Sequence, residues 1–257
     1  RQMCIRDRYK TDGHAELIPG VGVDTSVFYS KRDRAEELRG ELGIPDGGFH
    51  ILSAGELNKN KNHRVVIEAL AGLARSDIYY SICGEGPYRS ELEKLIKRKG
   101  LSDRVFLRGY RVDMQEMLQT ADLFLFPSYR EGMGMAALEA MAAEIPVVAA
   151  DNRGTREYLS DGNNGLVCAP DSAEDFARAI LIMYEQPRLR ELLGKNAGMT
   201  VEKFTLQMTE QKMSAIYRTI SDNGSAVSKK REQNGPMVSV IMGVYNQLDL
   251  DVFEKAV

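Results

Sequence analysis

Between residues 50 and 150, short apolar runs alternate with longer stretches in which apolar positions recur every three or four residues. That alternation is the pattern of a strand followed by a crossover helix, repeated, and it commits the chain to a parallel sheet. The runs fall at 51–54, 79–83, 105–107, 123–126 and 146–149, with a short sixth at 165–167. Each is apolar on successive positions, so both faces of the predicted sheet are covered. Between the runs, Asn62 is placed to cap a helix reaching about residue 74, and Pro87 stands near the start of one ending before Gly100. Further helices are expected at 114–120 and 135–143, then at 173–185, 188–203 and 206–221. The last three would wrap the domain or reach across to a neighbour.

The ends read differently. Residues 222–236 collect Ser, Asn, Gly, Lys, Arg and Gln with hardly an apolar side chain, the composition of a flexible linker. Apolar character returns at 238–244, a predicted strand followed by Tyr245 and Asn246, but too few residues remain for a domain. The sequence opens without methionine on a polar, aperiodic stretch at 1–8, which is expected to be a fragment end. The expected organisation is therefore a leading segment at 1–30, a principal domain at 31–221, a linker at 222–236 and the start of a second domain at 237–257.

Thirty-four basic against thirty-seven acidic side chains leave a net charge of -3, too small an imbalance to draw nucleic acid to the whole surface. Any anion binding must be local. No window holds the eighteen or so apolar residues of a membrane span, and no signal peptide opens the chain, so a cytoplasmic setting is expected. Cys4, Cys83 and Cys168 are isolated, and His14, His50 and His63 lack metal-ligand spacing. With Asp249 and Asp251 confined to the tail, no metal site is expected. Lys97, Arg98 and Lys99 complement a helix dipole, and such a basic face can also lean on anionic lipid, which gives peripheral membrane contact as a further expectation.

The most informative stretch is P-S-Y-R-E-G-M-G-M-A-A-L-E at 127–139, a strand end, a loop with two glycines and a helix start. Gly132 and Gly134 let the backbone approach a ligand closely. The free amides of the helix beginning near Met135 form a positive dipole end suited to a diphosphate. Glu131 and Glu139 flank this cradle, and a carboxylate can grip two vicinal sugar hydroxyls. Two glutamates at this spacing would be unremarkable alone.

In this context the segment resembles the signature of glycosyltransferase family 4, over residues 17 to about 221. The resemblance implies the C-terminal half of a GT-B fold, an α/β Rossmann-like parallel sheet with helices on both faces. It implies that Glu139 holds the ribose and that Glu131 contacts the donor hexose. Amides of Gly132, Met133, Gly134 and Met135 would bind sugar and diphosphate. The segment G-E-L-N-K-N-K-N-H at 55–63 follows the first strand, where open α/β sheets place ligands. There the resemblance makes Gly55 a backbone contact and Lys61 the cation on the leaving phosphate. Glu56 stands where the family often has arginine, and a glutamate there repels a diphosphate unless it turns away or pairs with a neighbour such as Lys59. Read without the resemblance, Lys61 is a solvated residue before a helix.

Gly84-Glu85-Gly86-Pro87 resembles the family's G-x-G-P loop, and Gly109-Tyr110-Arg111 its turn against the nucleobase, which adds Gly84, Tyr110 and Arg111 to the expected donor contacts. Tyr110 as plain packing is the alternative. The segment I-P-G-V-G-V-D within 17–28 resembles an interdomain hinge, and V-S-V-I-M-G-V-Y-N at 238–246 the opening strand of a family 2 (GT-A) glycosyltransferase, with Gly243 in place of proline.

The resemblance implies a retaining transferase that passes a hexosyl unit from a nucleoside diphosphate sugar, a UDP-sugar first, to a glycan or lipid-linked acceptor in cell-surface polysaccharide synthesis. The acceptor would be held by a missing N-terminal domain, so the chain alone is expected to be inactive. No cofactor beyond the donor is implied. Two other classes fit the same residues: a non-catalytic nucleotide-sugar-binding module, and an epimerase or phosphorylase on the same fold.

Overall fold

The computed structural model describes residues 20, 22–28 and 34–227, with side chains described as far as residue 218. The strands are β1 (Phe49–Ala54), β2 (Ile78–Cys83), β3 (Val105–Gly109), β4 (Leu123–Phe126), β5 (Val147–Ala150) and β6 (Leu166–Cys168). They form one sheet in the order β3-β2-β1-β4-β5-β6, and every ladder in it is parallel. The helices are α1 (Thr25–Phe28), α2 (Ala35–Glu41), α3 (His63–Gly72), α4 (Arg89–Arg98), α5 (Met114–Gln119), α6 (Met135–Ala142), α7 (Ala173–Glu185), α8 (Pro187–Val201) and α9 (Leu206–Val227). This is the doubly covered α/β sheet that the alternation of runs predicts.

Successive residues of the central strands feed opposite cores. Ile51, Tyr80, Ile82, Leu123, Leu125 and Val148 pack with α3, α4 and α7 on one face. Leu52, Phe124, Phe126, Val147 and Ala149 pack with α5, α6 and part of α8 on the other. Each such side chain contributes about 1.5–3 kcal/mol by leaving water, so the short run Leu123–Phe126, buried at all four positions, anchors both layers at once.

Polar groups inside these layers are matched. Tyr80 Oη donates to Ser53 Oγ (2.8 Å), which donates to the Leu125 carbonyl (2.6 Å). His50 Nδ1 lies 3.1 Å from the Thr120 carbonyl and Nε2 2.9 Å from Ser81 Oγ. The Asp122 carboxylate accepts from the His50 amide (2.8 Å) and pairs with Arg39, which ties α2 to the sheet. Helix α2 has no counterpart in the sequence reading, because only Ala35 and Leu38 of its seven residues are buried and the segment carries almost no periodic signal.

Several local expectations are corrected. Asn62 is not a cap: it takes a left-handed conformation (φ 50°) and its Nδ2 donates to the Pro170 carbonyl (2.8 Å), tying the start of α3 to the turn before α7. A genuine cap sits at Ser172, whose side chain accepts from the Asp175 amide (3.0 Å). Helix α8 stops at Val201, where a short 3-10 turn, Glu202–Phe204, intervenes before α9. Helix α9 runs through Val227, six residues into the stretch expected to be linker. Within the principal body, Val23 is buried and exchanges backbone bonds with Phe204 and Leu206 (2.8 and 2.9 Å). The expected tail strand at 238–244 and residues 17–19 of the hinge-like segment lie outside the described residues.

Burial penalises the charged ring of both His50 and His63 and pushes each down to about 3 from 6.5. Between those values the unfolded chain takes up protons that the folded chain refuses, so stability is full above pH 6.5 and is lost as pH falls toward 3. Each ring steepens that loss by up to about 1.4 kcal/mol per pH unit. Thermal unfolding followed by circular dichroism from pH 7 to pH 4.5 should show this decline. The double variant His50→Gln/His63→Gln should be less stable at pH 7 but flatter with pH, and an unchanged slope would remove the histidines as the cause.

Candidate functional site

Strands β1 and β4 are neighbours in the sheet but not in sequence. The helix after β1, α3, covers one face, and the helix after β4, α6, covers the other. Their connecting loops therefore part at the carboxyl edge and leave a crevice, the place where open α/β sheets bind ligands. Residues 55–62 form one wall and 127–134 the other.

The two walls are fastened to each other. Asn60 Nδ2 donates to the Arg130 carbonyl (2.9 Å), and the Asn60 carbonyl accepts from the Tyr129 amide (2.8 Å). Asn58 Oδ1 accepts from the Lys61 amide (3.0 Å) and so fixes the turn that presents Lys61. Across the crevice, Lys61 Nζ donates to Glu131 Oε1 at 2.6 Å. The ammonium also stands 5.4 Å from the centre of the Phe126 ring. Only 6% of the Glu131 side chain and 20% of Lys61 remain exposed, so the pair sits in a medium where its attraction is stronger than on an open surface.

Behind the pair, Gly134 opens helix α6 in a left-handed conformation (φ 72°). A Cβ there would meet the Phe126 ring at 2.6 Å and Tyr158 Oη at 2.8 Å, so no other residue fits. No side chain caps this helix, which leaves its leading amides available to an anion. Met135 is the first helical residue, while Gly132 and Met133 form the exposed and half-exposed approach to it. Glu139, one turn into the helix, is half-buried, and burial holds its carboxyl above the ordinary carboxylate value.

The remaining expected contacts continue along the same edge. The Gly55 amide donates to the Cys83 carbonyl (2.9 Å) and the Gly84 amide to the Gly109 carbonyl (2.7 Å), which laces the ends of β1, β2 and β3 together. Tyr110 projects at 77% exposure, too open to be packing. Arg111 is forked onto Asp113 and is therefore not a free cation. Glu56 is exposed and accepts from Asn58 Nδ2 (2.8 Å); its partner is thus Asn58 rather than Lys59. The structure brings Lys61, Glu131 and Gly55 into one contact group, with Tyr110 and Arg111 two strands away.

Sequence reasoning missed the turn after β5. Asn152 Oδ1 accepts from the Gly154 and Thr155 amides (2.9 and 3.1 Å), and its Nδ2 donates to the Ser128 carbonyl (2.9 Å). This turn braces the loop that carries Glu131. The only hint in the sequence is an Asn three residues before a Thr, as in many turns. Among the described residues no group of three or more His, Cys, Asp and Glu side chains could hold a metal ion, and no helix is long and apolar enough to cross a membrane. Asp249 and Asp251 lie outside those residues.

Residues 34–199 match the family model described as glycosyl transferases group 1. EpsD of Bacillus subtilis (strain 168), which its description assigns as a glycosyltransferase, is 35% identical over 82% of this chain and 56% of its own length. HepE of Anabaena in complex with UDP-glucose superposes with a TM-score of 0.74 at 25% identity, over 77% of this chain and 56% of that one. The C-terminal domain of a group 1 family glycosyl transferase, LpcC of Francisella tularensis, superposes with a TM-score of 0.64 at 27% identity, over 71% of this chain and 97% of that one. The chain spans about half the length of the curated relatives it matches.

Two substitutions separate the cradle's structural and chemical demands. Gly134→Ala should destabilise the chain by about 1–3 kcal/mol or more through strain and the Phe126 clash, visible as a lower melting temperature. Glu139→Gln should do the opposite at neutral pH. A carboxyl whose value is raised by burial stabilises the fold only while protonated and costs stability once ionised, so removing the charge should raise the melting temperature at pH 7 and change little in acid. A lower melting temperature for Glu139→Gln at pH 7 would contradict this account.

Proposed function

Because the chain belongs to the group 1 glycosyl transferases, we propose that its principal domain binds a nucleoside diphosphate sugar and supplies the donor half of a retaining hexosyl transfer. The donor is a UDP-sugar on this reading. The acceptor is a glycan or a lipid-linked saccharide held by a preceding domain, and the product serves cell-surface polysaccharide synthesis. The observation that supports it best is the Lys61–Glu131 pair, set at the β1/β4 crevice in front of an uncapped helix start.

Each group then has a task. The leading amides of α6 and the Lys61 ammonium face the diphosphate, where negative charge grows as the bond from the anomeric carbon to the phosphate oxygen breaks. Glu131 holds Lys61 at that place and accepts from hexose hydroxyls with its other lone pairs. Glu139 accepts from the ribose hydroxyls. The acceptor oxygen attacks the face that the diphosphate leaves, its proton passes to a phosphate oxygen, and configuration at the anomeric carbon is kept. Domain pre-organisation enters through the Asn58, Asn60 and Asn152 bonds, which fix the cradle before the donor arrives. Tyr110 at the β3 end offers a face to the base. A cytoplasmic setting and lipid contact through Lys97, Arg98 and Lys99 belong to the same reading.

Isothermal titration of the chain with UDP, GDP and ADP should give binding to at least one, with the cognate diphosphate preferred over its monophosphate. No heat of binding with any of the three removes the reading. In the longer protein that this function requires, Glu131→Gln should lower turnover by about 100-fold or more. Retention of full function by that variant would favour a binding module over an enzyme.

A further inference from the structure

The crevice is short of positive charge for the ligand assigned to it. Lys61 is already paired with Glu131, Glu56 occupies the near wall as a second carboxylate, and Glu139 stands behind. A diphosphate held by amides and a Lys61 whose charge is shared with Glu131 would be balanced poorly. A further cation along the edge is Arg153, on the turn that follows β5, the strand beside β4.

We propose that Arg153 is the second cation of the donor site and binds the diphosphate, taking the part that an arginine at position 56 would play. The proposal rests on the donor-binding reading above. The backbone places Arg153 closely: a Cβ at Gly154 would lie 2.6 Å from the Glu131 carbonyl oxygen and 2.8 Å from that of Gly132, so the turn is in direct contact with the cradle loop. Asn152, Gly154 and Thr155 are buried and hydrogen-bonded to one another, whereas Arg153 between them is exposed. It has no ion-pair partner among the described residues, although Arg156, three residues on, is forked onto Asp151. With the backbone already fixed, binding orders the side chain alone, and the planar fork of the guanidinium matches two phosphate oxygens. Arg130 and Lys59 are also exposed near the crevice, Arg130 beside the exposed Tyr129 and Lys59 between the half-buried Asn58 and Asn60.

The test is titration of the 257-residue chain and its variants with UDP and UMP at two salt concentrations, using GDP or ADP where that nucleotide binds more tightly. Arg153→Ala should weaken the diphosphate about tenfold, weaken the monophosphate less, and flatten the dependence of affinity on salt. Arg153→Lys should recover part of the loss, and Arg130→Ala and Lys59→Ala should stay within about twofold of the parent. Since Arg153 is exposed, its variants should melt like the parent, which separates lost binding from lost folding. Unchanged diphosphate affinity for Arg153→Ala, or an equal loss in Arg130→Ala or Lys59→Ala, overturns the assignment of Arg153 while leaving the donor site in place. No binding of any nucleoside diphosphate by the parent chain overturns both.

Discussion

Everything in this molecule is arranged around the parallel pairing of β1 with β4, registered at Ile51 with Leu123 and Leu52 with Phe124. Because those strands are remote in sequence, the chain reverses its winding direction between them, and the loops that leave them must diverge to opposite faces. Packing thus makes the crevice. Both strands are buried on both sides, so the site's floor is held by the same hydrophobic layers that hold the fold together.

On that floor the chain sets charges against one another. Lys61 and Glu131 neutralise each other across the gap, while Glu139 is kept partly out of water at a cost in stability. A free cation and a free carboxylate in such a place would each be expensive, and pairing lets both be stored without a ligand. The asparagines complete the arrangement. Asn58, Asn60 and Asn152 spend their side chains on neighbouring backbone, so two irregular loops and a turn are tied into one hydrogen-bonded rim.

The sheet was legible because continuous apolar runs and 3.6-period stretches are set by burial, and burial is written residue by residue in runs such as 123–126. Gly134 stands out in the sequence because a left-handed residue with no room for a Cβ before the helix must be glycine. Partnerships were not. Whether Asn62 caps a helix or reaches Pro170, and whether Glu56 pairs with Lys59 or Asn58, turn on small differences among nearby donors that only the folded backbone decides. Helix α2 escaped because only Ala35 and Leu38 of it are buried and Arg39 ties it to Asp122 and the Gly48 carbonyl, so no long apolar stripe marks it. The brace at Asn152 escaped because its partners at Ser128 and Gly154 belong to two different loops.

The backbone bonds that join Val23 to Phe204 and Leu206 stitch the beginning of the described body to the first turn of α9. Gly22 is pressed so closely against Leu206 that a methyl group could not enter between them. Two residues earlier Gly20 lies equally close to Met133 of the cradle loop, so the same short segment borders both the seam at Leu206 and the ligand edge of the sheet.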